Sequence, residues 1–229
     1  MFYQPTNYPD IILGIKDNNP VIMSPNSDYS IEFAMTREGS YDLEEYKEFL
    51  DSAIRTFRHS RTYTHYKAYL YNLGLDTCIF HPYIQTGAED GEIATLEMHH
   101  CMLNIYQIAL LISEHILNTY GQITEYDLVE LLKYEHTNNN IPIVMLCKTC
   151  HQLYHHKYLY VPVDRIFGQW WNLLTKYHTG LQNNIEISNN LIRYIEKSLN
   201  ENKLKYEEKK AKELLQLRDN ILSWSNMIK

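Results

Sequence analysis

A pair of histidines four residues apart, on a helix that follows an apolar strand, constrains this chain more than any other feature. Residues 144–156 read Val-Met-Leu-Cys-Lys-Thr-Cys-His-Gln-Leu-Tyr-His-His, a β-like apolar run passing straight into a helical pattern. On a helix His151 and His155 share one face and can aim their imidazoles at a common point. Upstream, Leu96-Glu97-Met98-His99-His100 ends a second extended run in a histidine pair. Neighbouring strand residues point to opposite sides, so one of this pair can bind a metal while the other faces substrate. Three protein ligands with open positions make the catalytic kind of metal site, where water and a phosphate oxygen fill the vacancies. A neutral imidazole beside it can serve as general base near neutral pH.

Leu96-Glu97-Met98-His99-His100 together with Leu146-Cys147-Lys148-Thr149-Cys150-His151 and His155 resembles the HNH, or ββα-metal, nuclease family. There a strand ends in Asp-His or His-His, a second strand follows, and a helix supplies the last histidines. The resemblance covers roughly residues 94 to 158 and implies His99, His151 and His155 as metal ligands and His100 as the base. The Asn that ties down the loop carrying the base is matched by Asn140. Residues 101–142 stand where the family has a short hairpin loop, so a helical pair, 103–137, is inserted there. The resemblance implies a divalent ion, Mg²⁺ or Mn²⁺ with Zn²⁺ as the alternative, a DNA substrate and a phage source. Family members often hold a structural zinc on two C-x2-C pairs. Only Cys147 and Cys150 form such a pair here, and Cys78 and Cys101 read as single cysteines. Glu97 stands two residues before His99, on the same strand face, and is expected to orient that ligand from behind.

The 229 residues are 45% hydrophobic and 13% aromatic, enough for a true core. Four cysteines are too few for a disulfide framework. No apolar run is long enough to span a bilayer, and the opening Met1-Phe2-Tyr3-Gln4-Pro5 carries neither a basic region nor a cleavage signal, so a cytoplasmic protein without membrane contact is expected. A formal charge of −7 argues against broad electrostatic binding of nucleic acid, so any phosphate contact needs a local basic surface. Arg55, Arg58, Arg61 and Lys67, interleaved with aromatics, are the candidates for that nucleic-acid-binding surface.

The expected fold is α+β and predominantly helical, a central ββα-metal module with a helical insertion and C-terminal helices. Three stretches are expected: a proline-rich arm and basic helical region over 1–92, the module over 93–160, and a helical region over 161–229. Apolar spacing predicts one helix from Asp42 to Tyr71, a short strand over Cys78–Ile84, an acidic loop at 87–91, and a strand from Ile93 to Met98. A buried helix follows over Leu103–Leu117, and Thr124 opens the next with a capping-box pattern. Arg165–Tyr177 reads as a helix, Gly180 and the stretch from Asn183 to Asn190 as a hinge. The 3-4-3-4 repeat Leu214, Leu217, Ile221, Trp224, Ile228 reads as a helix that docks on its own body or forms a homodimer. The expected activity is metal-dependent hydrolysis of DNA phosphodiesters. The alternative is a binding protein in which the module is a structural zinc unit held partly by Cys147 and Cys150.

Overall fold

The computed structural model describes residues 12–16, 19–23, 34–36, 43–84, 96–201 and 208–226. In chain order its elements are β1 (Ile12–Lys16), β2 (Asn19–Met23), β3 (Ala34–Thr36), α1 (Leu43–Arg58), α2 (Arg61–Asn72), β4 (Leu96–His100), α3 (Ile105–Tyr120), β5 (Gln122–Thr124), α4 (Glu125–Thr137), β6 (Ile143–Cys147), α5 (Lys148–His155), α6 (Trp170–Lys176), α7 (His178–Asn183), α8 (Ile185–Glu201) and α9 (Glu208–Ser225). The protein is α+β and mostly helical. Among the described residues the strands pair as antiparallel twos: β1 with β2, β3 with β5, and β4 with β6.

The β4/β6 pair is the platform of the site. Its register sets His99 opposite Val144 and His100 opposite Ile143. Every residue of β6 is buried; α5 packs on the strand pair, His100 of β4 meets His136 of α4, and the Cys78–Ile84 turn bonds to Met145. Phe167 extends the ladder, its N–H donating to the Ile143 carbonyl at 2.8 Å and its carbonyl accepting from the Ile143 N–H at 3.0 Å. Beneath lies the core formed by α3 and α4. The apolar faces of these helices bury Ile108, Leu111, Ile112, Leu128, Leu131 and Leu132 at 0–1% exposure, each contributing about 1.5–3 kcal/mol. Capping boxes start both helices, Asn104 with Gln107 and Thr124 with Asp127, and Gly121 at φ 81° ends the first. α1 packs on α4 and α3 on α7, so the α3/α4 pair is clamped between the N- and C-terminal parts of the chain.

Several expectations are corrected. The helix expected over 42–71 is two, because the Ser60 hydroxyl accepts from the Tyr63 N–H at 3.2 Å and caps a new helix at the corner. Cys78–Ile84 is a tight turn rather than a strand: His81 donates its N–H to the Cys78 carbonyl at 3.1 Å and Ile84 to the His81 carbonyl at 2.9 Å, and Pro82 has none to offer. The loop at 87–91 and the start of the strand at Ile93 lie outside the described residues, and β4 runs on to His100. α6 begins at Trp170, not Arg165, because Phe167 is held in the ladder and Gly168 turns at φ 103°. Gly180 is a packing point rather than a hinge: a Cβ there would meet the Leu111 carbonyl oxygen at 2.4 Å. The stripe Leu214, Leu217 and Ile221 of α9 is buried, with α9 packed on α7 and α8.

Candidate metal centres

Among the described residues, two groups of side chains have the composition and spacing of metal ligands, and both depend on α5. Cys78, His81, Cys147 and Cys150 bring their ligand atoms within 4.8 Å of one another. The turn at Cys78–Ile84 supplies the first two as C-x2-H. The end of β6 and the first turn of α5 supply the others as C-x2-C. The Ile79 N–H donates to the Met145 carbonyl at 3.1 Å and fastens the turn to β6. His81 Nδ1 lies 3.5 Å from Cys147 Sγ and 3.4 Å from Cys150 Sγ. A tetrahedral zinc with ordinary bond lengths separates a sulfur and a nitrogen ligand by about 3.6 Å. The donor set therefore fits a structural zinc, with all four positions filled by protein. Burial raises the Cys78 thiol, but the N–H groups of Cys147, Phe80 and His81 outweigh it and bring the group below its ordinary value. Cys150 is pushed up to about 12, first by burial and then by the neighbouring sulfurs. Sulfurs crowded on one point resist ionising together, and a dication there favours all of them as thiolates.

The second group is His99, His151 and His155, again with ligand atoms within 4.8 Å. His99 reaches over from β4 and is buried, His151 is half-buried, and His155 is exposed, so one side of the group opens to solvent. The ring centroid of His99 is 4.8 Å from that of His151 and 5.0 Å from that of His155. The two helix histidines present Nε2 atoms to each other at 3.2 Å, close to the roughly 3.4 Å that two imidazoles on one tetrahedral ion adopt. Glu97 lies on this face as expected, but it holds His151 rather than His99: its carboxylate is 2.7 Å from His151 Nδ1. That contact fixes the proton on Nδ1 and leaves Nε2 free to bind. The Tyr154 ring packs on His99 at 4.6 Å, while its hydroxyl meets Cys101 Sγ at 3.4 Å. Burial first, then His151 and His155, lowers His99 to about 4, so its imidazole is neutral.

His100 is elsewhere. Strand alternation turns it through β4 to the core side, where its Nε2 lies 2.9 Å from Nε2 of His136 on α4. The Nδ1 of His136 is 2.6 Å from the Leu132 carbonyl, and its ring packs on Phe57 at 4.5 Å. Burial, then His136, His99 and Arg58, holds His100 well below its ordinary value. Asn140 also lies apart from the three histidines, its amide donating to the buried Glu135 carboxylate at 2.7 Å. Glu135 further accepts from the Tyr177 hydroxyl at 2.6 Å and from Lys176 at 2.5 Å, so Asn140 helps tie α4 to α6 and α7. Arg55, Arg58 and Arg61 are exposed around the α1–α2 corner and Lys67 is half-exposed on α2. Arg58 comes close enough to bear on the charge state of His100, on the far side of β4 from the open group.

Sequence reasoning missed His81 and read Cys78 as single. The signal was Cys78-x2-His81, which repeats the spacing of Cys147-x2-Cys150. The other lone cysteine, Cys101, is buried against the hydroxyls of Tyr154 and Tyr194.

Fold and side chains together define a mostly helical α+β protein that, among the described residues, gathers two groups of potential metal ligands around one short helix. The chain belongs to the family of bacteriophage G278-like virion proteins, whose model matches residues 6–223. That match supports the phage source and is not to a nuclease family. No curated protein and no solved structure matches.

Proposed function

We propose that this chain is a metal-dependent endonuclease of the ββα-metal kind, acting on DNA phosphodiesters in the service of a phage. The observation that carries the reading is the contrast between the two groups on α5. Four buried or half-buried ligands close one, as structural sites are closed, and three imidazoles with a solvent-facing side leave the other open, as catalytic sites are. A dication on His99, His151 and His155 would supply an acidified water and a Lewis acid for a phosphate oxygen. Glu97 keeps the His151 Nε2 lone pair directed at that point, and Tyr154 holds the His99 ring in place. In this reading His100 is a positioning residue and not the base expected from sequence, because its Nε2 is engaged by His136 on the opposite face of β4. Asn140 acts likewise at a distance, by fixing the turn between α4 and β6.

Supercoiled plasmid incubated with the purified protein and Mg²⁺, Mn²⁺ or Zn²⁺ is expected to be nicked or linearised, and EDTA to prevent it. Failure to cut with all three ions sinks the reading. The competing reading, a zinc-stapled binding module without catalysis, draws on the virion-protein family and predicts intact plasmid throughout.

The basic corner gives a separate expectation. Neutralising Arg55, Arg58 and Arg61 together should weaken DNA binding and flatten its salt dependence by about 0.9 in log K against log salt for each phosphate no longer neutralised. Metal content should stay at the wild-type level. Equal affinity and slope in the triple variant would make the corner an ordinary solvated helix face.

A further inference from the structure

We propose that the corner closing α5, His156-Lys157-Tyr158, is a subsite for single-stranded nucleic acid, with Tyr158 stacking on an unpaired base and Lys157 holding a backbone phosphate beside the open histidine group. The role in cleavage rests on the nuclease reading, whereas the strand binding stands on the geometry of the corner itself. Lys157 follows the helix in the left-handed region, at φ 62°. The Lys157 N–H donates to the Tyr154 carbonyl at 2.9 Å, and the Tyr158 N–H to the Leu153 carbonyl at 2.9 Å. This bonding pattern is the Schellman closure of a helix, and glycine is its favoured residue at the left-handed position.

Two features of the corner run against what closing a helix needs. A cation with a full side chain occupies the position where glycine is preferred. The residue after it ordinarily packs its side chain back on the helix, against the residue whose carbonyl it bonds. Here Tyr158 is instead 82% exposed and Leu153 is 39% exposed. The Tyr158 ring meets the His156 ring at an angle of 37°, centroids 6.4 Å apart, so Tyr158 displays its own aromatic face from a hydrogen-bonded corner. Lys157 is two residues beyond His155, which puts its Cα no more than about 7.6 Å from that of the last histidine of the open group. In a chain of charge −7 a local cation is what phosphate contact requires. An exposed tyrosine accepts any base by its π-face, but only a base released from its own stack can reach it, which selects single strands or frayed ends.

The test uses the full chain, no added divalent ion, and a fluorescein-labelled oligothymidylate of about 15 nucleotides, enough to span one binding site. Anisotropy titrations over a range of salt should show Tyr158→Ala binding about tenfold or more weakly and Tyr158→Trp binding like wild type. Lys157→Gly should weaken binding and lower the salt slope by about 0.7, while its melting temperature holds or rises because glycine suits the position. The proposal is overturned if wild type does not bind the strand, if both weakening variants match wild-type affinity and slope, or if duplex is preferred regardless of Tyr158. Plasmid nicking by the same preparations separates the two readings. Tyr158-dependent strand binding without nicking removes the nuclease and keeps the subsite. Nicking that survives in variants that also bind normally does the reverse.

Discussion

Replacing Cys147 and Cys150 together by serine is expected to abolish one tightly held metal equivalent and to unfold the β4/β6/α5 region. The two residues supply half of a four-ligand cluster, and the other half, Cys78 and His81, comes from a turn whose internal hydrogen bonds are few. Zinc bound to such sets in small fingers contributes about 10–16 kcal/mol, and that binding energy is folding energy. Here the helical core retains part of the structure, so a loss of several kcal/mol is expected, still comparable with the total stability of an ordinary domain, about 5–15 kcal/mol. Elemental analysis and thermal melts with and without added zinc check this. A double variant with unchanged metal content and unchanged melting would show that the cluster is four buried side chains and nothing more. His81→Ala should cost less, because three thiolates remain.

The opposite pattern is expected for His151→Ala. The open group lies at the surface of α5, its helix stays pinned by the cysteines one turn earlier, and little apolar surface is given up with the half-buried ring. Melting should therefore move by less than about 1 kcal/mol equivalent, as for most surface changes. Cleavage should fall by about 10³-fold or more, since a metal centre contributes several kcal/mol to the transition state and each 1.36 kcal/mol is tenfold. Glu97→Gln, which leaves every ligand in place but weakens the grip on His151, should cost about 10- to 100-fold. Plasmid cleavage rates beside melting curves test both. Full activity in His151→Ala would exclude the three histidines from catalysis, and an unfolded His151→Ala would mean that they serve the fold.

Short-range chemistry was legible in the sequence. The i, i+4 histidines, the extended run leading into the His99-His100 pair, the caps at Thr124 and Gly121, and the apolar stripes of α3 and α4 depend on spacings of a few residues, which the chain displays directly; the strand's end, expected at Met98, lies two residues later at His100. Pairings made across long loops were not. His136 lies 36 residues from His100 and is joined to it by no pattern, only by the packing of α4 beneath β4. Cys78 sits 69 residues before Cys147 in the chain, and its kinship with the other cluster members was readable only by treating histidine as the equal of cysteine at the x2 spacing. Asn140 was assigned to the site through resemblance, but the charge of Glu135, buried at 0% exposure, claims its amide. Gly180 looked like a break because glycine often is one; at this position it lets α7 approach the Leu111 carbonyl of α3.

The antiparallel register of β4 with β6 has a consequence for how this protein can change. His99 and His100 are neighbours in sequence yet serve opposite sides of one ribbon, the first toward His151 and His155, the second toward His136. A shift of the strand by one residue would exchange them, and Glu97 would turn inward with the same step, since side chains alternate with a period of two. The region can therefore absorb many substitutions at Leu96 or Met98 that keep volume, whereas a change in length that slips Glu97–His100 by one place against β6 would put a carboxylate in the core and an unpaired imidazole in the site at one stroke. Drift in this stretch must proceed by exchange of residues, never by a change in their number.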